Sequence, residues 1–490
     1  MPDGAFSLSG RVAAAVGTTM TRKDLQPNQL SAVVEIVRAV VQQPIGDEER
    51  AAVLRCVIDS IGCGLAGIGD ATAQRTAAAF GSAEGKQVTV LGSSRRLPVR
   101  EALLVNAAAI RTLDFNDVYS ARNNHHPSES VIPIALAFAE LHGWSGRQLM
   151  DAVAVGYRIS LTVGELWSGL LAKGWAPAAS LGQLSSAGFI GTLLGFDDYT
   201  LSQAIAIAAV TAPTLAVVFR GELSDAKSLV SGLAVQAGWQ AAELTRAGVT
   251  GPRDVLEGPA GYDEMVGGPP ELRSVGPEST TDARRVQQKA FPTVFTIHSA
   301  IEAALQVVNA LGAGREATLA DPGTRVEVMV APKVAGMAAS PARWNPTDRE
   351  SAQFSLPYGV AVALLEGSCT VAGLRDAVNG SGAERTAELV SRMKVKSEER
   401  WDGYAGGRVV VSSPTGVLVE AEISDPPGSA ANPLTTEEIE TKFLALAATG
   451  RDRAFASRVL NVLSRLDEAA RLDSIFAMFA TDQDIQETVP

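Results

Sequence analysis

The sequence predicts a mainly α fold: a large all-helical domain with a smaller α+β domain inserted into it. Three observations carry this. Hydrophobic residues make up 46% of the chain but aromatics only 5%, with 46 glycines and abundant alanine, a composition that lets helices approach closely. From about residue 30 to 284 the apolar residues recur at the helical period. From about 285 to 428 stretches of period two appear among helices, and after 428 the helical period returns.

In "ERAAVLRCVIDSIGCGLAG", Leu54, Val57, Ile58 and Ile61 fall at i, i+3, i+4 and i+7, one stripe of an amphipathic helix. "VIPIALAFAELHGWSGRQLMDAVAVGYRISLTVGELW" reads as two helices broken at "HGWSG". "SSAGFIGTLLGF" and "LSQAIAIAAVTAP" are too Ala-rich and too long for strands and read as buried helices of a bundle. In "TRVEVMV", Val326, Val328 and Val330 alternate with other residues, which predicts a strand. "RVVVSSPTGVLVEAEIS" reads as a hairpin turning at "SSPTG", and "RMKVKS" as a further strand. "HSAIEAALQVVNAL" and "YGVAVALLEG" are helices between them. Thr435 and Glu438 form the capping-box pattern that starts a last helical region. The predicted division is a loosely ordered extension over 1–28, a discontinuous helical domain over 29–284 and 429–490, and the α+β domain over 285–428.

The formal net charge of −12 argues against nucleic acid as a partner, because a broad basic face is missing. No run reaches about 18 uninterrupted apolar residues, so no membrane partner is expected. The three cysteines, Cys56, Cys63 and Cys369, have no framework or zinc-ligand spacing; reduced thiols and a cytoplasmic location follow. No phosphate-binding glycine loop and no G-x-S-x-G elbow is present.

Only four histidines occur, and two of them, His125 and His126, are consecutive in "LDFNDVYSARNNHHPSESVIP" behind Asp114 and Asp117. A carboxylate folded back onto an imidazole can tune a proton carrier, whereas "NN" and "HP" equally suit a polar turn. Lys227 in "GELSDAKSLVSGLAVQAG" precedes small and apolar residues, where a lysine can hold a carboxylate, act as a base, or be a solvated helix start. Lys289 and His298 lie in "QKAFPTVFTIHSAIEAAL", and Tyr358 in "AQFSLPYGVAVALLEG", polar groups in otherwise apolar runs.

Together these segments resemble the MmgE/PrpD family, in order, from about 30 to 450. The resemblance implies that the α+β part is a lid over the helical domain, that the protein is a homodimer, and that it works on a small acidic substrate without metal or organic cofactor. By motif it implies His126, Asp114, Lys227 and Lys289 as catalytic residues; His125, Asp117, His298 and Tyr358, in the same segments, are expected to bind substrate. His126 would move a proton beside a carboxylate, the lysines would hold carboxylates, and Asp114 would orient the histidine or meet the departing group. Decarboxylase-like members carry histidines where this chain has Ala176 and Val294, and it also departs from them at Asn116 and Val118. Ala and Val neither transfer protons nor bind carboxylates, so the expected substrate is less charged or bulkier than a tricarboxylate. The leading expectation is a cofactor-independent lyase of the 2-methylcitrate dehydratase type, working by β-elimination. An isomerase or epimerase and a non-catalytic binding protein on the same scaffold are the alternatives.

Overall fold

The computed structural model describes residues 28–80, 87–121, 123–220, 222–272, 281–401, 403–404 and 406–480. The expected N-terminal extension lies outside these, except for Asn28, whose side chain accepts from Ser31 N and caps the first helix, Gln29–Val41. The fold is mainly α.

Its buried apolar residues form two large clusters, one drawn from Leu30 through Phe479 and the other from Phe291 through Val411. The first is built around the helix Asp47–Gly67, which is buried on every side from Cys56 onward rather than along one stripe. Each fully buried Ile or Leu there contributes about 1.5–3 kcal/mol. Glycine permits the closest approaches. A Cβ at Gly67 would lie 1.9 Å from the carbonyl oxygen of Ala109, and one at Gly232 would lie 2.6 Å from Leu104 Cδ1. These contacts press the helices Asp47–Gly67 and Ala226–Arg246 onto the helix Val99–Arg111, whose end carries the candidate site.

The "HGWSG" break is real: the helix Ser128–His142 ends at Gly143, and Ser145 with Gln148 forms a capping box on the helix Gly146–Leu166. The Ala-rich segments form the helices Pro177–Leu193 and Asp198–Thr211. The chain returns to the first cluster late. The helix Thr436–Ala447, opened by the Thr435–Glu438 capping box, buries Phe443 against Gly62.

The second cluster holds a four-stranded sheet in the order Met393–Ser397, Arg325–Val330, Gly407–Ser413, Gly416–Ile423. The first pair is parallel and the others antiparallel, with a register shift between Val411 and Ser412. Val326, Val328 and Val330 face the core, as their alternation predicts. Two small hairpins were not foreseen: Gln87–Thr89 with Arg96–Pro98, and Tyr119–Ser120 with Asn124–His125. Strands of two or three residues are too short to carry a period. Val118 and Gln287 exchange backbone hydrogen bonds of 2.9 Å in both directions, which brings the segment before Lys289 alongside the segment after Asp114.

Candidate active site

The helix Val99–Arg111 ends, and the chain turns sharply through Asp114 at φ 48. Asp tolerates this left-handed conformation better than most residues because its short side chain bonds locally. Here the Asp114 amide donates to the Arg111 carbonyl at 2.9 Å, and the carboxylate folds back onto the same residue. Asp114 Oδ1 accepts from Arg111 Nη1 and from Lys289 Nζ, each at 2.5 Å; Lys289 also donates to the Asp114 carbonyl at 2.9 Å. Lys227, in the first turn of the helix Ala226–Arg246, places Nζ 3.5 Å from Asp114 Oδ2 and 3.3 Å from Glu350 Oε1. Glu350 also accepts from Ser228 Oγ at 3.0 Å. Arg111 completes the cluster through Glu129, 3.0 Å from its Nε. Asp114, Lys227 and Lys289 are all essentially inaccessible to solvent. Among the described residues Lys227 Nζ makes these two ion pairs but no hydrogen bond.

Burial alone would raise the Asp114 carboxyl, but Arg111, Lys227 and Lys289 together hold it well below the usual carboxylate range. Burial, reinforced by Arg111 and Lys227, pulls Lys289 down to about 8 against the attraction of Asp114. Burial pushes the Glu129 carboxyl up, and Arg111 opposes this.

His126 stands beside this cluster. Its Nδ1 lies 2.6 Å from the carbonyl oxygen of Asp117 and 4.0 Å from Glu129 Oε1. A carbonyl only accepts, so Nδ1 carries the hydrogen and Nε2 the lone pair. Burial first, then the positive charges of Arg111 and Lys289, hold the imidazole well below its ordinary pKa, so it is neutral. Nε2 has no hydrogen-bond partner among the described residues.

The remaining residues named from the sequence divide. Asp117 is fully buried, and its carboxylate accepts from Ser128 N at 3.2 Å, Ser128 Oγ at 2.6 Å and Tyr157 OH at 2.7 Å. It is an N-terminal cap supplied from outside the helix Ser128–His142, and burial pushes it up to about 7. It reaches the site through its carbonyl, which fixes the tautomer of His126. His125 does not join the cluster: its ring packs edge-on to Tyr119 at 5.3 Å with Nδ1 3.4 Å from the Asn123 carbonyl, and burial lowers it to about 4. Adjacent residues of an extended segment point to opposite sides, which separates the two histidines. His298 is buried between Phe291 and Phe295, at 5.1 and 4.9 Å; burial, then the Lys289 charge, lowers it to about 3. Tyr358 sits in the second cluster on the helix Leu356–Glu366, and among the described residues no hydrogen bond ties its hydroxyl to the charged cluster.

Arg111, Glu129, Glu350 and Lys442 were missed. Arg111 precedes Asp114 by three residues and Glu129 follows His126 by three, a helix-end spacing that could have flagged both. Lys442 had no local signal. It donates to the carbonyls of Phe115 at 2.6 Å and Lys289 at 2.9 Å, with Asp59 Oδ1 2.6 Å away, and so fastens both site segments to the central helix. From the helix Arg349–Gln353, Gln353 Nε2 donates to the Leu113 carbonyl, while Arg349 donates to the Thr112 carbonyl at 3.0 Å. Val294 donates its amide to the Gln353 carbonyl at 2.9 Å, next to this contact; Ala176 begins the helix Pro177–Leu193. Cavities of about 380 and 400 Å³ lie elsewhere, the first lined by Phe138, His142 and Trp239, the second by Glu49, Arg158 and Arg284. Among the described residues no group of His, Cys, Asp and Glu has the arrangement of a metal site.

These features define a mainly α protein with a buried acid–base cluster where two hydrophobic cores meet. The chain belongs to the MmgE/PrpD family: residues 32–274 match the family's N-terminal domain and residues 291–467 its C-terminal domain. Among curated relatives, cis-aconitate decarboxylase of Homo sapiens is 27% identical over 390 residues, 76% of this chain and 78% of the relative. The Mus musculus protein of the same name is 25% identical, covering 84% of this chain and 86% of the relative. The 2-methylcitrate dehydratase of Cupriavidus necator is 25% identical, covering 74% and 76%. No single described helix is long and apolar enough to cross a membrane.

Proposed function

We propose that this protein is a lyase that removes water by β-elimination from a small hydroxy acid, with His126 as the base. The observation that carries the reading is a neutral imidazole, its Nε2 without a partner among the described residues, at the edge of the buried charge cluster that holds the Lys227 and Lys289 ammoniums around Asp114. The substrate carboxylate accepts from Lys227 Nζ. His126 Nε2 takes the proton from the adjacent carbon, and the charge that develops on the carboxylate is met by Lys227 and Lys289. The C–H pair becomes the new C=C bond as the C–O bond breaks. The departing oxygen takes a proton from Lys289, whose pKa of about 8 suits a donor near neutrality, and leaves as water. Asp114 holds the cations in register. Segment 285–428 acts as a lid over the helical part, a role supported by the reach of Arg349, Glu350 and Gln353 onto the Asp114 turn and Lys227. Relatives named for dehydration and decarboxylation of small carboxylates fit the same chemistry.

One observation favours a second reading. Lys289 is a second group able to carry a proton, so abstraction by His126 and return by Lys289 would make an epimerase. Incubation with 2- and 3-hydroxy acids in deuterium oxide separates the two. Loss of water from the substrate supports the lyase, and deuterium incorporation without loss of mass units of water supports the epimerase. Neither event with any hydroxy acid would sink both.

A further inference from the structure

We propose that Glu350 is a built-in competitor of the substrate: its carboxylate fills the anion place on Lys227, and a substrate carboxylate binds there only by displacing it. This rests on the reading of the site given above, in which Lys227 receives the substrate. The Lys227 side chain is fully buried, with Asp114 Oδ2 3.5 Å and Glu350 Oε1 3.3 Å from its Nζ. The Phe354 ring packs against the same ammonium, its centre 4.6 Å away. An incoming carboxylate at hydrogen-bond distance, about 2.8 Å from Nζ, would stand no more than about 6 Å from Glu350. Like charges that close in a dry site repel strongly, so one carboxylate has to go.

Glu350 is the carboxylate able to leave. Asp114 is 1% exposed and is held by Arg111 and Lys289 as well as by Lys227. The Glu350 side chain is 13% exposed, and among the described residues its one hydrogen bond comes from Ser228 Oγ at 3.0 Å. Its backbone does not have to move. Glu350 lies in the five-residue helix Arg349–Gln353, whose start is fixed by a capping box between Asp348 and Ser351. Two other side chains pin this helix across the seam between the cores: Arg349 to Asp70 at 2.9 Å and to the Thr112 carbonyl, and Gln353 to the Leu113 carbonyl. Rotation of the Glu350 side chain into solvent therefore clears Lys227 while the short helix stays in place, and water solvates the released carboxylate. In the ligand-free protein the same carboxylate helps to neutralise a buried ammonium, which favours the fold. Binding is weakened in return, because the substrate gains Lys227 only in exchange for Glu350.

The test is calorimetric binding of 2- and 3-hydroxybutyrate to wild type, Glu350→Gln and Ser228→Ala, with urea unfolding of each. Glu350→Gln keeps the size of the side chain and its bond to Ser228 but removes the charge. It should bind the better of the two acids at least about tenfold tighter than wild type, while unfolding at lower urea. Ser228→Ala only loosens the hold on Glu350 and should bind about two- to fivefold tighter. Gain of affinity with loss of stability is the signature, since a residue of purely structural use loses both. Adding Lys227→Met to Glu350→Gln should erase the gain, and a gain that survives it overturns the proposal. If Glu350→Gln does not fold, by circular dichroism, Ser228→Ala decides, and affinity unchanged or weaker in it overturns the proposal. A folded Glu350→Gln protein that binds no tighter than wild type overturns the proposal and leaves the lyase reading intact. If neither acid binds to any of the proteins, and wild type exchanges no substrate proton, both fall.

Discussion

Asp114→Asn removes one charge from the centre of the site and little else. Asn accepts the left-handed backbone that Asp114 adopts at φ 48, so no new strain is added. The loss falls unequally on the three cations. Arg111 keeps Glu129 at 3.0 Å and Lys227 keeps Glu350 at 3.3 Å, but Lys289 loses its one carboxylate partner and retains only a carbonyl at 2.9 Å. Removing one partner of a buried ion pair costs about 3–5 kcal/mol. Lys289 already titrates near 8, below its ordinary 10.5, and without Asp114 it falls further and sheds its proton near neutrality. That gives the penalty a signed pH dependence. From pH 6 to 8 the native variant holds fewer protons on Lys289 than the unfolded chain, so the variant gains stability with rising pH. Wild type, whose Lys289 stays protonated until about 8, gains little over that window. The gap should therefore be wider at pH 6 than at pH 8, narrowing by at most about 1.4 kcal/mol per pH unit. Urea unfolding at the two pH values measures it. A variant within about 1 kcal/mol of wild type at both, or a gap that widens with pH, would refute the assignment of Asp114 as the counterion that keeps Lys289 charged.

Three further outcomes follow from the same geometry. Replacing His126 by Ala should slow solvent-proton exchange at the substrate carbon about 10²–10⁴-fold with much less change in affinity, read by mass spectrometry and calorimetry; unchanged exchange rules it out as the base. The rate constant kcat/KM should decline above about pH 8 as Lys289 loses its proton, and a flat profile to pH 9.5 would remove Lys289 from the reaction. His298 is held neutral in the fold at a pKa near 3, while the unfolded residue protonates near 6.5. Its presence thus erodes stability as pH falls below 6.5. Relative to wild type, His298→Met should be more stable at pH 4.5 than at 7.5 by about 2–3 kcal/mol in urea titrations, and no pH dependence of that difference would contradict the burial of an uncharged ring.

Long helices were legible because their apolar spacing spans several turns, and the sheet because three valines alternate in a single strand. What escaped was whatever depends on chain segments meeting. The ion pairs of Lys227 with Glu350 and of Lys289 with Asp114 join positions more than a hundred residues apart, and no local pattern announces them. Asp114, Lys227 and Lys289 could be named because each lies in a motif; Arg111 and Glu129 went unnamed although each lies within three residues of a named one. The central helix was read as having one buried stripe, since Ala, Gly and Ser on its other sides look neutral in sequence. In the fold those small residues are the contact surface for neighbouring helices.

The paired histidines show how little composition decides at such a site. His125 and His126 share a backbone segment, a burial that lowers both pKa values and an identical side chain. Their difference comes from direction. His125 turns toward Tyr119 and the helix Gly146–Leu166, where its uncharged ring fills space. His126 turns toward Glu129 and Arg111, and the carbonyl of Asp117 takes its Nδ1 hydrogen. That carbonyl is in turn held because the Asp117 carboxylate is engaged by Ser128 and Tyr157. Asp117 thus acts without touching the reacting atoms: its side chain anchors a helix start, and its main chain leaves the lone pair of His126 on Nε2.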